Sequence, residues 1–137
     1  MKTVVISLAR RVDRRAEFER WNRGQPLSFS IMTACDGERI DEARLVAGGL
    51  LSEGERNFSK PALANALSHA TLWRDCAGGR EPYFILEDDA CLRGDFWRHA
   101  KPLLERHLAA ADLIALGYNT DSVVALHGSD GVVSALR

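Results

Sequence analysis

Long apolar runs are missing from this sequence of 137 residues: none approaches the roughly 18 residues a membrane-crossing helix needs. Net charge is nearly missing too. The 18 Lys and Arg face 19 Asp and Glu, leaving −1, which argues against a dedicated nucleic-acid or membrane-surface binder. Cysteine is scarce, and Cys35, Cys76 and Cys91 form no CxxC pair and no zinc spacing. They read as reduced, mostly buried thiols in a cytoplasmic protein. The apolar start is broken by Arg10 and Arg11, too early for a signal peptide. Repeats, low-complexity tracts and long linkers are lacking as well. A soluble intracellular domain is expected, without a membrane span, peripheral association being left open.

What remains is ordinary globular material. Hydrophobic residues make up 46% and charged residues 27%, and a chain of this size buries about two-thirds of its unfolded surface, enough for one core. A single domain over residues 1–137 is expected. One asymmetry stands out: 15 of the 18 basic residues are Arg, six of them between Arg10 and Arg23. Arg forks suit phosphate, although Asp13, Glu17 and Glu19 also fit a solvated helix face.

Residues 4–8 are a short apolar run suited to a buried parallel strand. A polar helix follows over 13–23, with Phe18 and Trp21 inward and Gly24 and Pro26 ending it. Residues 27–34 alternate as a second strand, left through the turn Cys35-Asp36-Gly37. A short helix is expected over 41–47. The next helix is clear, with Leu63, Ala66, Leu67, Ala70, Trp73 and Ala77 at helical spacing, Ser59 as N-cap and Gly78-Gly79 as stop. Pro82 opens the apolar strand 83–86. A further amphipathic helix carries Phe96, Trp97, Ala100, Leu103, Leu104 and Leu108, kinked or split at Pro102. Strands are expected over 113–116 and 123–126. The alternation gives an α/β fold with a mostly parallel sheet flanked by helices.

Glu87-Asp88-Asp89 carries the chemistry. Ligand crevices in open α/β sheets lie at the carboxyl ends of strands, where these acids fall. Strand periodicity puts Glu87 and Asp89 on one side and Asp88 on the other, if the chain stays extended. Two acids facing a crevice are what a divalent cation needs when a diphosphate supplies the other oxygens; an acidic cap on the next helix is the plain alternative. His69 lies at the margin of the apolar stripe, able to donate to a phosphate or sugar or to stack on Trp73, and Ser68 lies on the far side from it. Asp36-Gly37 leaves the second strand on the same sheet edge as the acids. His99, His107 and His127 read as surface residues.

In order, Val5-Ile6-Ser7-Leu8 with Asp13-Arg14-Arg15, then Ala34-Cys35-Asp36-Gly37, Leu67-Ser68-His69 with Leu72-Trp73, and Ile85-Leu86-Glu87-Asp88-Asp89 with Asp95-Phe96 resemble glycosyltransferase family 25, the lipooligosaccharide-type galactosyltransferases. The resemblance spans residues 3–97. It implies a GT-A-like fold, a UDP-sugar donor (usually UDP-galactose), Mn²⁺ or Mg²⁺, and inverting transfer to a saccharide or lipooligosaccharide acceptor. It further implies that Ser7, Leu8, Arg11, Arg14, Asp36, Ser68, His69 and Asp88 line the donor site, and that Glu87 and Asp89 hold the cation. Arg14 or Arg11 would add charge at the leaving diphosphate.

The chain departs from the family pattern in carrying Ser7 and Ala9 where Asn and Asp are usual. Pro61-Ala62 and Ala64-Asn65 replace a Gly-Glu and a Gly-Cys. Members usually continue well beyond the equivalent of Gly117, whereas this sequence stops at Arg137, so donor binding is expected to outlast transfer. The general base is unassigned, with Asp121 a guess. Two rivals stand beside this reading: a non-catalytic nucleotide-sugar-binding module, and a Mg²⁺-binding receiver-like signalling domain, a design that needs an acid pair after the first strand and a late strand-end Lys, both lacking in this sequence.

Overall fold

The computed structural model describes residues 1–54 and 58–117, together with the backbone of two strands beyond them. Met1–Leu92 form one compact unit and Arg93–Arg137 a second. The first unit runs β1 (Lys2–Ser7), α1 (Val12–Trp21), β2 (Ser30–Thr33), a 3-10 turn (Gly37–Arg39), α2 (Glu42–Ala47), α3 (Lys60–Gly78) and β3 (Tyr83–Glu87). Its three strands are all parallel in the order β2-β1-β3. This is the expected α/β architecture, a small parallel sheet flanked by helices, consistent with a GT-A-like fold.

β1 sits in the centre, which explains its unbroken apolar run: both faces are covered. Val4 and Ile6 pack with Leu72 of α3, and Met32, Ala34, Tyr83 and Ile85 adjoin them. By alternation Val5, Phe84 and Leu86, also buried, face the other way. The connection β1-α1-β2 and the return β2-α3-β3 run in opposite directions across the sheet, and right-handed crossovers then put α1 and α3 on opposite faces. Phe18 of α1 is fully buried and meets Phe29 edge-on, with ring centroids 5.2 Å apart.

Two helix faces differ from expectation. On α1 the inward residues are Phe18 and Asn22, one turn apart, whereas Trp21 is 40% exposed. On α3 the buried line is Ala64, Ser68 and Leu72, one position round from the expected stripe, and Trp73 is half exposed. Ala64 and Ser68 let the first turns of the helix approach the strands closely, where a Trp ring does not fit, and Leu72 fills the core beside Val4 and Ile6. Ser59 caps α3 as expected, accepting from the Ala62 N–H at 3.3 Å. β2 is shorter than expected, covering only Ser30–Thr33. The thiols are free, but they are less buried than expected: Cys35 and Cys76 are half-buried and Cys91 is exposed.

In the second unit α4 (Phe96–His107) runs unsplit through Pro102. Residues 113–116 form no strand, and Leu113 is exposed; an apolar tetrapeptide without a paired neighbour gains no ladder bonds. The strand expected over 123–126 matches β4 (Val124–His127), which pairs antiparallel with β5 (Val133–Leu136); Val123 lies outside the described residues.

Among the described glycines, Gly37 leaves the least room for a side chain. A Cβ there would stand 3.0 Å from Pro61 N and 3.1 Å from its Cα, both backbone atoms that cannot swing aside. Gly37→Ala should therefore cost about 1–3 kcal/mol of overpacking, read as a lowered urea midpoint; an unchanged midpoint would mean the turn floats free of α3.

Candidate functional site

The carboxyl ends of the strands converge on a cavity of about 300 Å³, walled by β1 and its exit, the segment after β2, the first turns of α3, and the acids after β3. It lies beside the reversal of strand order, the usual ligand position in open α/β sheets. Ser7, Leu8, Arg14, Asp36, Ser68, Glu87, Asp88 and Asp89 all line it.

The acid triplet does not alternate. The Ala90 N–H donates to Glu87 O at 3.0 Å, so the chain turns where an extended strand was expected. The turn gives each acid a different environment. Asp88 is only 5% exposed and accepts the Ser7 hydroxyl at 2.7 Å. Its other oxygen lies 2.8 Å from Arg14 Nη2. The same nitrogen reaches the exposed Asp89 at 2.7 Å. Glu87 turns to α3, accepting from Asn65 Nδ2 at 3.2 Å and lying 3.1 Å from His69 Nε2. Asp88 and Asp89 thus share a partner, and Glu87 and Asp89 do not.

Ser68 is buried rather than turned away, as the shifted face of α3 requires. Its hydroxyl donates to Ala64 O at 2.8 Å and accepts the Cys35 N–H at 2.9 Å, tying the segment after β2 to α3. His69 is not among the lining residues; it is bonded to Glu87, which is, and its ring stands 5.8 Å from Trp73 at a 48° tilt. Arg11 is not among the lining residues; it is engaged by Asp13, at 2.7 Å, and its hydrogen bonds hold that carboxyl down at about 2. Asp121 lies outside the described residues.

Sequence reasoning missed Arg10 and Asn65. Arg10 forks onto Asp36 at 3.1 and 3.3 Å and pairs with Glu38 at 3.2 Å. Asp36 also accepts the Glu38 N–H, capping the 3-10 turn. The signal for Arg10 was its place at the exit of β1, and for Asn65 its place one turn before His69.

With that geometry in place, similarity decides the lineage. A model of glycosyltransferase family 25, described as an LPS biosynthesis protein family, matches residues 1–125. The chain belongs to this family. It is 27% identical over 121 residues to a protein of Acanthamoeba polyphaga mimivirus named as a glycosyltransferase, covering 85% of this chain and 37% of that one. It is 32% identical over 145 residues to a mouse protein named inactive glycosyltransferase 25 family member 3, covering 96% of this chain and 24% of the relative. The chain thus spans between 24% and 37% of the length of these two relatives. No solved structure matches it.

Two outcomes check this geometry. Ser68→Ala strands the Cys35 N–H and should cost about 1–3 kcal/mol, seen as a lower unfolding midpoint. The Arg10 hydrogen bond, then the Glu38 N–H, hold the Asp36 carboxyl below its ordinary 3.8. A depressed carboxyl stabilises the fold above its unfolded value, and that contribution is lost as pH falls through the folded one. In Arg10→Gln the Asp36 carboxyl should titrate nearer 3.8 by NMR; an unmoved titration would show the pair to be absent in solution.

Proposed function

We propose that the crevice binds a UDP-hexose, with galactose as the sugar, together with Mn²⁺ or Mg²⁺, and serves inverting transfer to a saccharide acceptor of the lipooligosaccharide type. The observation that carries the reading is the acid turn at the carboxyl end of β3. It has one carboxylate spent on internal anchoring, one carried by the half-buried Glu87 and one by the exposed Asp89, in a chain of family 25.

Charge supports a cation. Five carboxylates and two Arg line the cavity, and both Arg are already paired with acids. A bare diphosphate would meet net repulsion there. Glu87 and Asp89 offer hard oxygen donors, which suit Mg²⁺ and Mn²⁺. Among the described residues no group of three His, Cys, Asp or Glu side chains forms a ready metal cage. A cation held by Glu87 and Asp89 would draw its remaining ligands from diphosphate and water, the ordinary habit of Mg²⁺. Bound there, it would neutralise a departing diphosphate.

The chain's own groups have separable parts. Arg14 uses Nη2 for both acids, leaving Nε and Nη1 hydrogens to bind phosphate oxygens. Asp88 fixes Arg14, and Ser7 fixes Asp88. Asn65 and His69 orient Glu87. The base that deprotonates the acceptor hydroxyl lies outside this set, with Asp121 the sequence-based guess. No helix of the described residues is long and apolar enough to cross a membrane, and the free thiols and balanced charge support a cytoplasmic setting. A second reading, donor binding without transfer, is favoured by the mouse relative being named inactive.

Asp89→Asn tests the first reading, because it removes charge at constant volume. Calorimetry should find Mn²⁺-dependent UDP binding lost while the melting temperature holds; undiminished affinity would reduce the acids to a turn. Saturable galactosylation of a lactose-type acceptor by the wild-type chain would then exclude the binding-only reading.

A further inference from the structure

We infer that Asn22 is a positioning residue for the acid turn, an inference resting on the reading of that turn as the ligand site. Residues 88–89 lie beyond the last strand pairing, which ends at Glu87 opposite Ile6. No sheet ladder holds their backbone; Ser7 and Arg14 grip the carboxylates from one side, and the chain leaving the turn needs a hold of its own.

Asn22 stands at the end of α1 and is 5% exposed. Its Nδ2 donates to Ala90 O and Phe18 O, each at 2.9 Å, and its Oδ1 accepts the Leu92 N–H at 2.9 Å. Both amide hydrogens and the carbonyl are therefore used, and a flipped amide would set its oxygen against two carbonyls. The bonds to Ala90 and Leu92 seize the chain immediately after Asp89. Arg14 seizes Asp88 and Asp89 from the first turn of the same helix. Eight residues separate the two grips, roughly 12 Å along a helix. Phe18, between them and fully buried, anchors that helix. α1 thus holds the turn at two points, and Asn22 closes the far one.

Helix capping alone would need only the bond to Phe18 O. The bonds to Ala90 and Leu92 serve the turn instead, and they set the acids before any ligand arrives. Replacing such an orienting partner costs roughly 10–100-fold in affinity at metal sites.

The test compares Asn22→Ala, and the milder Asn22→Ser should Asn22→Ala not fold, with Leu72→Val in the core beside Val4 and Ile6 as a destabilised control. Three readouts are taken: amide exchange at Leu92, rotation of the Arg14 guanidinium by ¹⁵N NMR, and affinity for UDP with Mn²⁺. In the Asn22 variant Leu92 should exchange faster, the Arg14 guanidinium should rotate more freely, and UDP affinity should fall roughly 10-fold. Leu72→Val should leave Arg14 rotation and UDP affinity near wild type, and should raise Leu92 exchange no more than that of Val5 in β1, at a similar loss of melting temperature. Equal changes in the control, or unchanged Leu92 exchange and Arg14 rotation in the Asn22 variant, would overturn the inference. If wild-type protein binds no UDP, the proposed function fails, while Leu92 exchange and Arg14 rotation still decide the role of Asn22.

Discussion

Everything at the functional end of the molecule depends on burying one carboxylate, that of Asp88. Taking a carboxylate out of water costs several kcal/mol after relaxation, so it persists only with full partners. Ser7 and Arg14 supply them at 2.7 and 2.8 Å. The parallel register makes this possible, because Ile6 pairs with Glu87 and the next residues are Ser7 and Asp88. One carboxylate therefore links the end of β1, the first turn of α1 and the exit of β3. Breaking a buried pair from one side costs about 3–5 kcal/mol, and the partial exposure of Arg14 puts this pair at the lower end. The exposed Arg20–Glu17 contact at 3.4 Å is of the class worth between zero and about 1 kcal/mol.

That anchoring leaves a division of labour among three adjacent acids. Asp88 is spent inward, Asp89 shares its arginine at the surface, and Glu87 is drawn to α3. Sequence distance says nothing of this, since the three are consecutive. The division comes from a turn, closed by the bond from the Ala90 N–H to Glu87 O, that sends Glu87 to α3, Asp89 to α1, and Asp88 to both α1 and the end of β1.

The order of elements was legible because its signals are local: an apolar run for β1, Ser59 before α3, Pro82 before β3. The place of the site was legible for the same reason, as acids at a strand end and Asp36 after β2 fall on one sheet edge by topology alone. Which side of a helix turns inward was not. The stripe on α3 was drawn at helical spacing through Leu63, Leu67, Ala70 and Trp73, but close packing selected the neighbouring line of Ala64, Ser68 and Leu72. On α1 the buried partner of Phe18 is Asn22, a polar residue whose burial follows from carbonyl and N–H groups contributed by residues 68 to 70 positions away. No local pattern carries that information.

These long-range ties share one physical origin. Backbone groups in strands are paired by the ladder, but segments leaving the carboxyl ends lose that pairing just where they are covered by helices. Each uncovered group needs a side chain reaching out from a helix or strand. Ser68 takes the Cys35 N–H after β2, and Asn22 takes the Ala90 carbonyl and the Leu92 N–H after β3. A three-stranded sheet with a small apolar core has little packing to hold such loops. Polar groups buried with full partners do that work, because displacing any of them leaves a desolvated donor or acceptor at a cost of about 1–3 kcal/mol. The rigidity of the crevice therefore comes from hydrogen bonds made by α1 and α3, and the apolar core serves to keep those two helices in place.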